Sequence, residues 1–279
     1  MSEPAGRTQP AGAGGQGRPA RHPFLDHPGP IAFAHRGGSA EAPENTYASF
    51  ARAVSLGYRY LETDVHASAD GVVVVCHDPA LMRTAGRPGL IRELTWRELA
   101  GVRVQGDQPL PRLDEVLSTW PGARFNIDAK HPSVVGPLAE VLRQDGVLDR
   151  VCVTSFSDGR IAALRRLLGP GLCTAMGPRA ITALRLASLL PATTSGTRPG
   201  WSRAWSGAAA AQVPMASRRV PVTDRRFVAA AHRAGLAVHT WTIDDEATMD
   251  ALLDLGVDGI MTDRPSRLKA VLERRNAWY

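Results

Sequence analysis

Lysine is almost missing from this chain of 279 residues. Of its 33 basic residues only Lys130 and Lys269 are lysine, and the rest are arginine. The bias resembles a coding preference, and it singles out each lysine that survives it. Cysteine is scarce as well. Three residues, Cys76, Cys152 and Cys173, stand at irregular spacing in apolar runs. That count excludes a disulfide framework and leaves buried free thiols in a reducing compartment as the expectation. No apolar run approaches the ~20 residues of a membrane-spanning helix. The Gly-, Pro-, Ala- and Arg-rich start carries no continuous apolar core of the kind a secretory signal needs. A cytoplasmic protein with no transmembrane segment and at most transient lipid contact is expected. Aromatic residues make up 6% of the chain, and no ladder of basic and aromatic residues accompanies the net charge of +6. That argues against nucleic acid as a partner, whereas a basic cleft for a small anionic substrate accounts for the charge.

What is present describes an ordinary globular chain, 44% hydrophobic and 22% charged, long enough for one sizeable domain. Residues 1–29 read as a disordered tail, 30–272 as the folded domain and 273–279 as a C-terminal tail. Short β-rich runs at 31–35, 59–65, 72–76, 124–129, 151–155, 171–176, 209–214, 237–243 and 258–262 alternate with amphipathic runs such as 44–56, 135–146, 158–168, 224–234 and 245–255. Such alternation implies parallel strands with helices outside. Because it consumes nearly the whole domain, the expected fold is an α/β, (β/α)8 TIM-type barrel, somewhat irregular. The ninth strand is explained by a β-hairpin near strand 2, with Ala69-Asp70-Gly71 as its turn. The stretch 192–207 is the least regular and reads as a loop, with Trp201 and Trp205 in it. Oligomeric state is not readable.

The chemistry is concentrated in a few stretches. In LETDVHASADGVVVVCHDP, Glu62 and Asp64 lie two apart on a strand and so share a face. Two neighbouring carboxylates repel unless a cation lies between them. A tight turn at Ala69-Asp70 or Asp70-Gly71 would set His77 directly across from one of them. In RFNIDAKHP, Asn126, Asp128 and Lys130 again share one face. Buried polar triplets are costly unless satisfied, so such groups normally bind something. Glu62, Asp64 and Asp128 form an all-oxygen set suited to one hard divalent cation, Ca²⁺ or Mg²⁺, more than to zinc. Lys130 and Arg36 are then counter-charges for an anionic group bridging to the metal. Asn126 reads as a ligand, a substrate contact or a supporting hydrogen bond, and the sequence does not choose.

HRGG at His35 to Gly38, then APENT, ETDVHASADGVVVVCHD, NIDAK, Ser155-Phe156, HTWTIDD and GIMTDRP closely resemble the glycerophosphodiester phosphodiesterase family, in collinear order from about residue 31 to 268. The resemblance implies a β/α barrel with its site at the carboxyl ends of the strands. It also implies a divalent metal on Glu62, Asp64 and Asp128, and two catalytic histidines, His35 and His77. Where the family usually has Glu this chain has Asp128, one methylene shorter. Substrate contacts are expected from Arg36, Lys130, Glu44, Phe156 and Trp241. Asn45 and Thr46 read as capping or support, and Asp263-Arg264 as a structural turn. The implied reaction is metal-assisted acid–base hydrolysis of a small phosphodiester to glycerol 3-phosphate and an alcohol. Similarity to phosphatidylinositol-specific phospholipases C adds a route in which the glycerol hydroxyl attacks first and water opens the cyclic phosphate. Two other readings stand beside it. One is phospholipase D-like hydrolysis of lysophospholipids, and the other a non-catalytic module that binds glycerophospho-compounds, which the complete residue set speaks against.

Overall fold

The computed structural model describes residues 22–190, 207–217 and 220–279; Trp201 and Trp205 and nearly all of the 192–207 loop lie outside them. Eight parallel strands run through the chain: β1 (Ile31–Ala34), β2 (Tyr60–Ala67), β3 (Arg124–Ala129), β4 (Val151–Thr154), β5 (Cys173–Thr174), β6 (Ala210–Pro214), β7 (Ala237–Trp241) and β8 (Gly259–Thr262). Each pairs with its neighbours in the order β5-β4-β3-β2-β1-β8-β7-β6. A bridge between Ala175 and Ala210, with the Met176 N–H donating to the Ala210 carbonyl at 2.8 Å, joins the two ends of the sheet. The result is the TIM-type barrel that the alternation predicts.

Alternation along each strand separates two environments. On β2, Leu61 and Val65 face outward into the main core between sheet and helices, whereas Glu62 and Asp64 face the cavity inside. The barrel floor is apolar. Phe24 is fully buried there, with its ring 5.3 Å from Tyr60, whose hydroxyl donates to the Phe24 carbonyl at 2.8 Å. Residues 23–29, expected to lie in a tail, thus belong with the folded domain. Residues 23–25 close the bottom of the barrel because an aromatic plug fills what short strands leave open. At the other end, helix Pro265–Arg274 runs past the expected domain boundary at 272, and Trp278 packs 5.1 Å from Tyr58. Among the described residues no helix is long and apolar enough to cross a membrane.

Two features depart from expectation. The strand Val73–Val75 does pair antiparallel with β2, but with Val65 opposite Val75 and Ala67 opposite Val73. The five residues between, Ser68 to Val72, replace the expected tight turn, because the Ser68 hydroxyl holds both Asp70 and the Val72 N–H. This shifts the register by one, which on a continuing strand would turn His77 to the wrong face. Pairing ends instead at the Cys76 N–H to Asp64 carbonyl bond of 2.9 Å, and the chain bends there. The second feature is an insertion after the hairpin, through residue 110. Its short helices pack around Leu81, Ile91, Leu99, Val102, Val104 and Leu110.

Candidate active site

The site forms where strands end. β1 stops at Ala34 and turns through His35–Gly37, with Arg36 at φ 51°, Gly37 at 81° and Gly38 at 100°. Left-handed backbone is routine for glycine and strained for arginine, and strain of this kind gathers at functional sites. A Cβ on Gly37 would also meet the backbone of Ser49 at 2.9 Å. The turn aims the Arg36 N–H at Glu62 Oε2, 3.0 Å away, and brings its Nε to 3.1 Å from Asp64 Oδ2. The second contact is an ion pair without hydrogen-bond alignment, since Nε has no hydrogen-bond partner among the described residues.

β2 and β3 run in register, with Glu62 beside Asn126 and Asp64 beside Asp128. Lys130, just beyond β3, bridges Asp64 at 2.7 Å and Asp128 at 2.6 Å. Asn45, itself left-handed, donates to Asp64 at 3.0 Å and accepts from Thr63, while Thr46 caps helix Tyr47–Ser55. Asn126 exchanges hydrogen bonds with Gln212, whose amide also meets His239 at 3.3 Å, making a polar layer above the apolar floor.

Charge balance decides the electrostatics. Burial would raise the Asp64 carboxyl, but Lys130 and Arg36 outweigh it and hold it below the ordinary range. Burial opposes charge on Lys130 too, and there Asp64 and Asp128 prevail, so it stays protonated. Among the described residues Glu62 has no lysine or arginine side chain against it, only the His35 ring at 3.7 Å and the Arg36 N–H. Burial next to Asp64 pushes it up to about 7. Burial also raises Asp128, whose Oδ1 is enclosed with no hydrogen-bond partner among the described residues. Three carboxylates against Arg36 and Lys130 leave the set one cation short. Oxygen donors, an orphaned carboxylate oxygen and a Glu62 whose nearest cationic neighbour is the His35 ring fit a hard divalent ion. With Lys130 between Asp64 and Asp128, no three acidic or histidine groups among the described residues stand together as a ligand cluster.

The two histidines are held alike. His35 Nδ1 lies 2.7 Å from Asp263 Oδ1, and His77 Nδ1 lies 2.7 Å from Asp78 Oδ1. A carboxylate at Nδ1 takes that N–H and fixes the tautomer, which leaves Nε2 as the nitrogen able to exchange a proton. His35 Nε2 lies 3.7 Å from Glu62. Burial disfavours the charged His35 ring, but Glu62 and the Asp263 hydrogen bond outweigh it, so its pKa is raised.

A cavity of about 530 Å³ brings together His35, Arg36, Glu62, Asp64, His77, Asn126, Asp128, Lys130, Phe156 and Trp241. Phe156 and Trp241 meet edge to face at 5.8 Å on its rim. Glu44 does not line it. Its carboxylate stands behind Arg36 at 3.4 Å and is gripped by Arg83 at 2.6 and 3.0 Å. Sequence reasoning did not single out Asp78 or Arg83, and it read Asp263 as a turn. The signal for Asp78 was its place beside His77. For Asp263 it was the end of the last strand, which a closed barrel sets next to the first.

The family model described as "Glycerophosphoryl diester phosphodiesterase family" matches residues 35–267. The Mycobacterium tuberculosis protein named "Probable glycerophosphodiester phosphodiesterase 2" is 38% identical over 256 residues, 91% of this chain and 95% of its own. Among solved structures, the glycerophosphodiester phosphodiesterase of Agrobacterium tumefaciens superposes with a TM-score of 0.71 at 27% identity, covering 88% of this chain and 99% of that one. An Oleispira antarctica phosphodiesterase, solved with the product sn-glycerol-3-phosphate, gives 0.72 at 25% identity, with coverage of 88% and 97%. The motifs, the barrel and these matches agree, and the chain belongs to the glycerophosphoryl diester phosphodiesterase family.

Proposed function

We propose that this chain hydrolyses glycerophosphodiesters to glycerol 3-phosphate and an alcohol. His35 and His77 exchange the protons, and Glu62, Asp64 and Asp128 hold one divalent cation, Ca²⁺ or Mg²⁺. Arg36, Lys130, Phe156 and Trp241 contact the substrate. The observation that carries this reading is the shared wiring of two imidazoles on one cavity, each with Nδ1 on a carboxylate.

One histidine accepts the proton of the attacking hydroxyl, which belongs to water or to the glycerol carbon next to the ester. The other gives its proton to the departing alkoxide as the P–O bond breaks, so the pair ends with its protons exchanged. Attack by water gives glycerol 3-phosphate directly, whereas attack by the glycerol hydroxyl gives a cyclic phosphate, which water then opens with the two histidines in reversed roles. Arg36 and Lys130 offset the charge that builds on the phosphoryl oxygens. Phe156 and Trp241 shield the carbon skeleton and narrow the mouth. When bound, the cation supplies Lewis-acid polarisation of a phosphoryl oxygen.

A second reading has its own observation. From the catalytic groups the cavity continues along Met176, Ile181, Leu186, Val213 and Val222. That apolar wall favours a lysophospholipid over a bare headgroup ester. Glycerophosphocholine, glycerophosphoethanolamine and lysophosphatidylcholine, each with Ca²⁺, Mg²⁺ or EDTA, separate the readings by the phosphate released, followed by ³¹P NMR. Glycerol 3-phosphate should form only with metal. Turnover of the lysolipid alone would favour the second reading, and binding without any turnover would leave a non-catalytic module. Full activity in excess chelator would remove the metal.

Asp128 offers a separate test. Its carboxylate is one methylene shorter than the glutamate usual in the family, so Asp128→Glu should keep activity while shifting the relative Ca²⁺ and Mg²⁺ dependence. Mg²⁺ is the more sensitive because it demands oxygen distances of roughly 2.0–2.1 Å. Metal titration of activity measures this, and identical curves for Asp128→Glu and Asp128→Asn would take Asp128 out of the ligand set.

A further inference from the structure

One guanidinium outside the cavity joins two carboxylates that stand behind residues lining it. Arg83 belongs to the insertion, in the short helix Met82–Ala85, and does not line the site. Its Nε donates to Asp78 Oδ2 at 2.5 Å, and its two terminal nitrogens donate to Glu44 at 3.0 and 2.6 Å. Asp78 uses its other oxygen on His77 Nδ1, and Glu44 stands 3.4 Å from Arg36. A continuous chain of contacts therefore runs from His77 through Asp78, Arg83 and Glu44 to Arg36. Glu44 is fixed from its backbone as well, because its N–H donates to Gln105 of the same insertion at 3.1 Å.

We propose that Arg83 is a positioning residue for the hydrolysis, holding Asp78 so that it orients His77 and holding Glu44 so that it steadies Arg36. This rests on the reading of His77 as a proton-transfer group and Arg36 as a phosphate contact. Three features support it. The fork geometry of arginine satisfies three carboxylate oxygens at once, which an ammonium cannot do with fixed direction. Arg83 also brings Asp78 down to about 2, so Asp78 accepts from His77 as a full carboxylate. And His77 follows the hairpin on a bend outside the sheet, so its ring direction has no strand to set it; the His66 ring bonded to the His77 carbonyl at 3.1 Å fixes only the backbone. The insertion thus has a task that its own small core does not explain: it brings one arginine to the join between the acid–base side and the phosphate side.

The experiment is kcat and KM for glycerophosphocholine at saturating metal, with melting temperature, for R83Q, R83K, D78A, E44Q and the doubles R83Q/D78A and R83Q/E44Q. A carboxylate that orients a working histidine is typically worth ~10–100-fold, so R83Q should lower kcat within that range and raise KM several-fold at an unchanged melting temperature. Its kcat loss should vanish into that of D78A, and its KM rise into that of E44Q, because residues acting in one chain are not additive. R83K should recover little, since charge alone does not supply the fork. Wild-type kcat in R83Q would overturn the proposal, as would kcat losses for R83Q and D78A that multiply in full. If R83Q does not fold, R83K decides by the same criteria, low kcat supporting the role and wild-type kcat refuting it. Wild-type kcat in His77→Ala would instead sink the underlying reading of the site.

Discussion

His77→Ala and His35→Ala should each lower kcat by ~10²–10⁴-fold, the usual worth of one positioned proton-transfer group. KM for the phosphodiester should move far less if, as proposed, Arg36 and Lys130 and not the imidazoles hold the phosphate. The two variants differ in their side effects. His77 has 35% of its side chain exposed and gives up one bond to Asp78, so its removal should barely change stability. His35 is 16% exposed, and without it Asp263 and Glu62 lose a shared partner, so some loss of melting temperature is expected. A substrate with a p-nitrophenol leaving group separates the roles. Its departure needs no proton, so the variant that it rescues lacks the general acid. A variant with wild-type kcat on glycerophosphocholine would remove that histidine from the reaction.

The barrel was legible because its evidence is local. Each strand run is bounded by turn residues, and each is followed by an amphipathic helix. Glu62/Asp64 and Asn126/Asp128 were legible for the same reason, since a two-residue spacing on a strand fixes the face without knowledge of any partner. His77 was found for a reason that the structure corrects. A tight turn was expected to carry it across from the carboxylates, whereas the longer Ser68–Val72 loop shifts the register and a bend after Cys76 restores its direction. Side-chain hydrogen bonds from Ser68 set that loop, and such bonds outweigh a short-range Ala-Asp-Gly signal.

Apart from Asp78, which stands next to His77 in the chain, the residues that escaped sequence reading meet partners distant in it. Asp263 meets His35 across 228 positions, and Glu44 meets Arg83 across 39. No spacing rule links such pairs; only closure of the barrel and docking of the insertion do. Phe24 escaped because a lone apolar patch in a Gly- and Pro-rich stretch resembles a tail until the open floor of the barrel is known.

Glu62→Gln and Asp64→Asn should both abolish most turnover, yet they should part company on stability. Asp64 is the hub of the site, with Lys130 at 2.7 Å, Arg36 at 3.1 Å and Asn45 at 3.0 Å. Neutralising it leaves two largely buried cations, Lys130 with Asp128 at 2.6 Å and Arg36 with Glu44 at 3.4 Å, short of their shared partner. Breaking a buried pair by removing one partner costs about 3–5 kcal/mol, because the other charge stays behind without compensation. Glu62 is the opposite case. Burial beside Asp64 already pushes it up to about 7, so its neutral form is close in energy to its charged form near neutral pH. Glutamine matches that neutral form in size and can still accept from the Arg36 N–H, at 3.0 Å in the parent. Glu62→Gln should therefore melt near wild type in EDTA while binding the divalent ion more weakly, and Asp64→Asn should melt well below it. Denaturation of both variants with and without metal is the measurement. Equal melting points in EDTA would show that Lys130 and Arg36 do not depend on Asp64, and that the charges of this site balance in some other way.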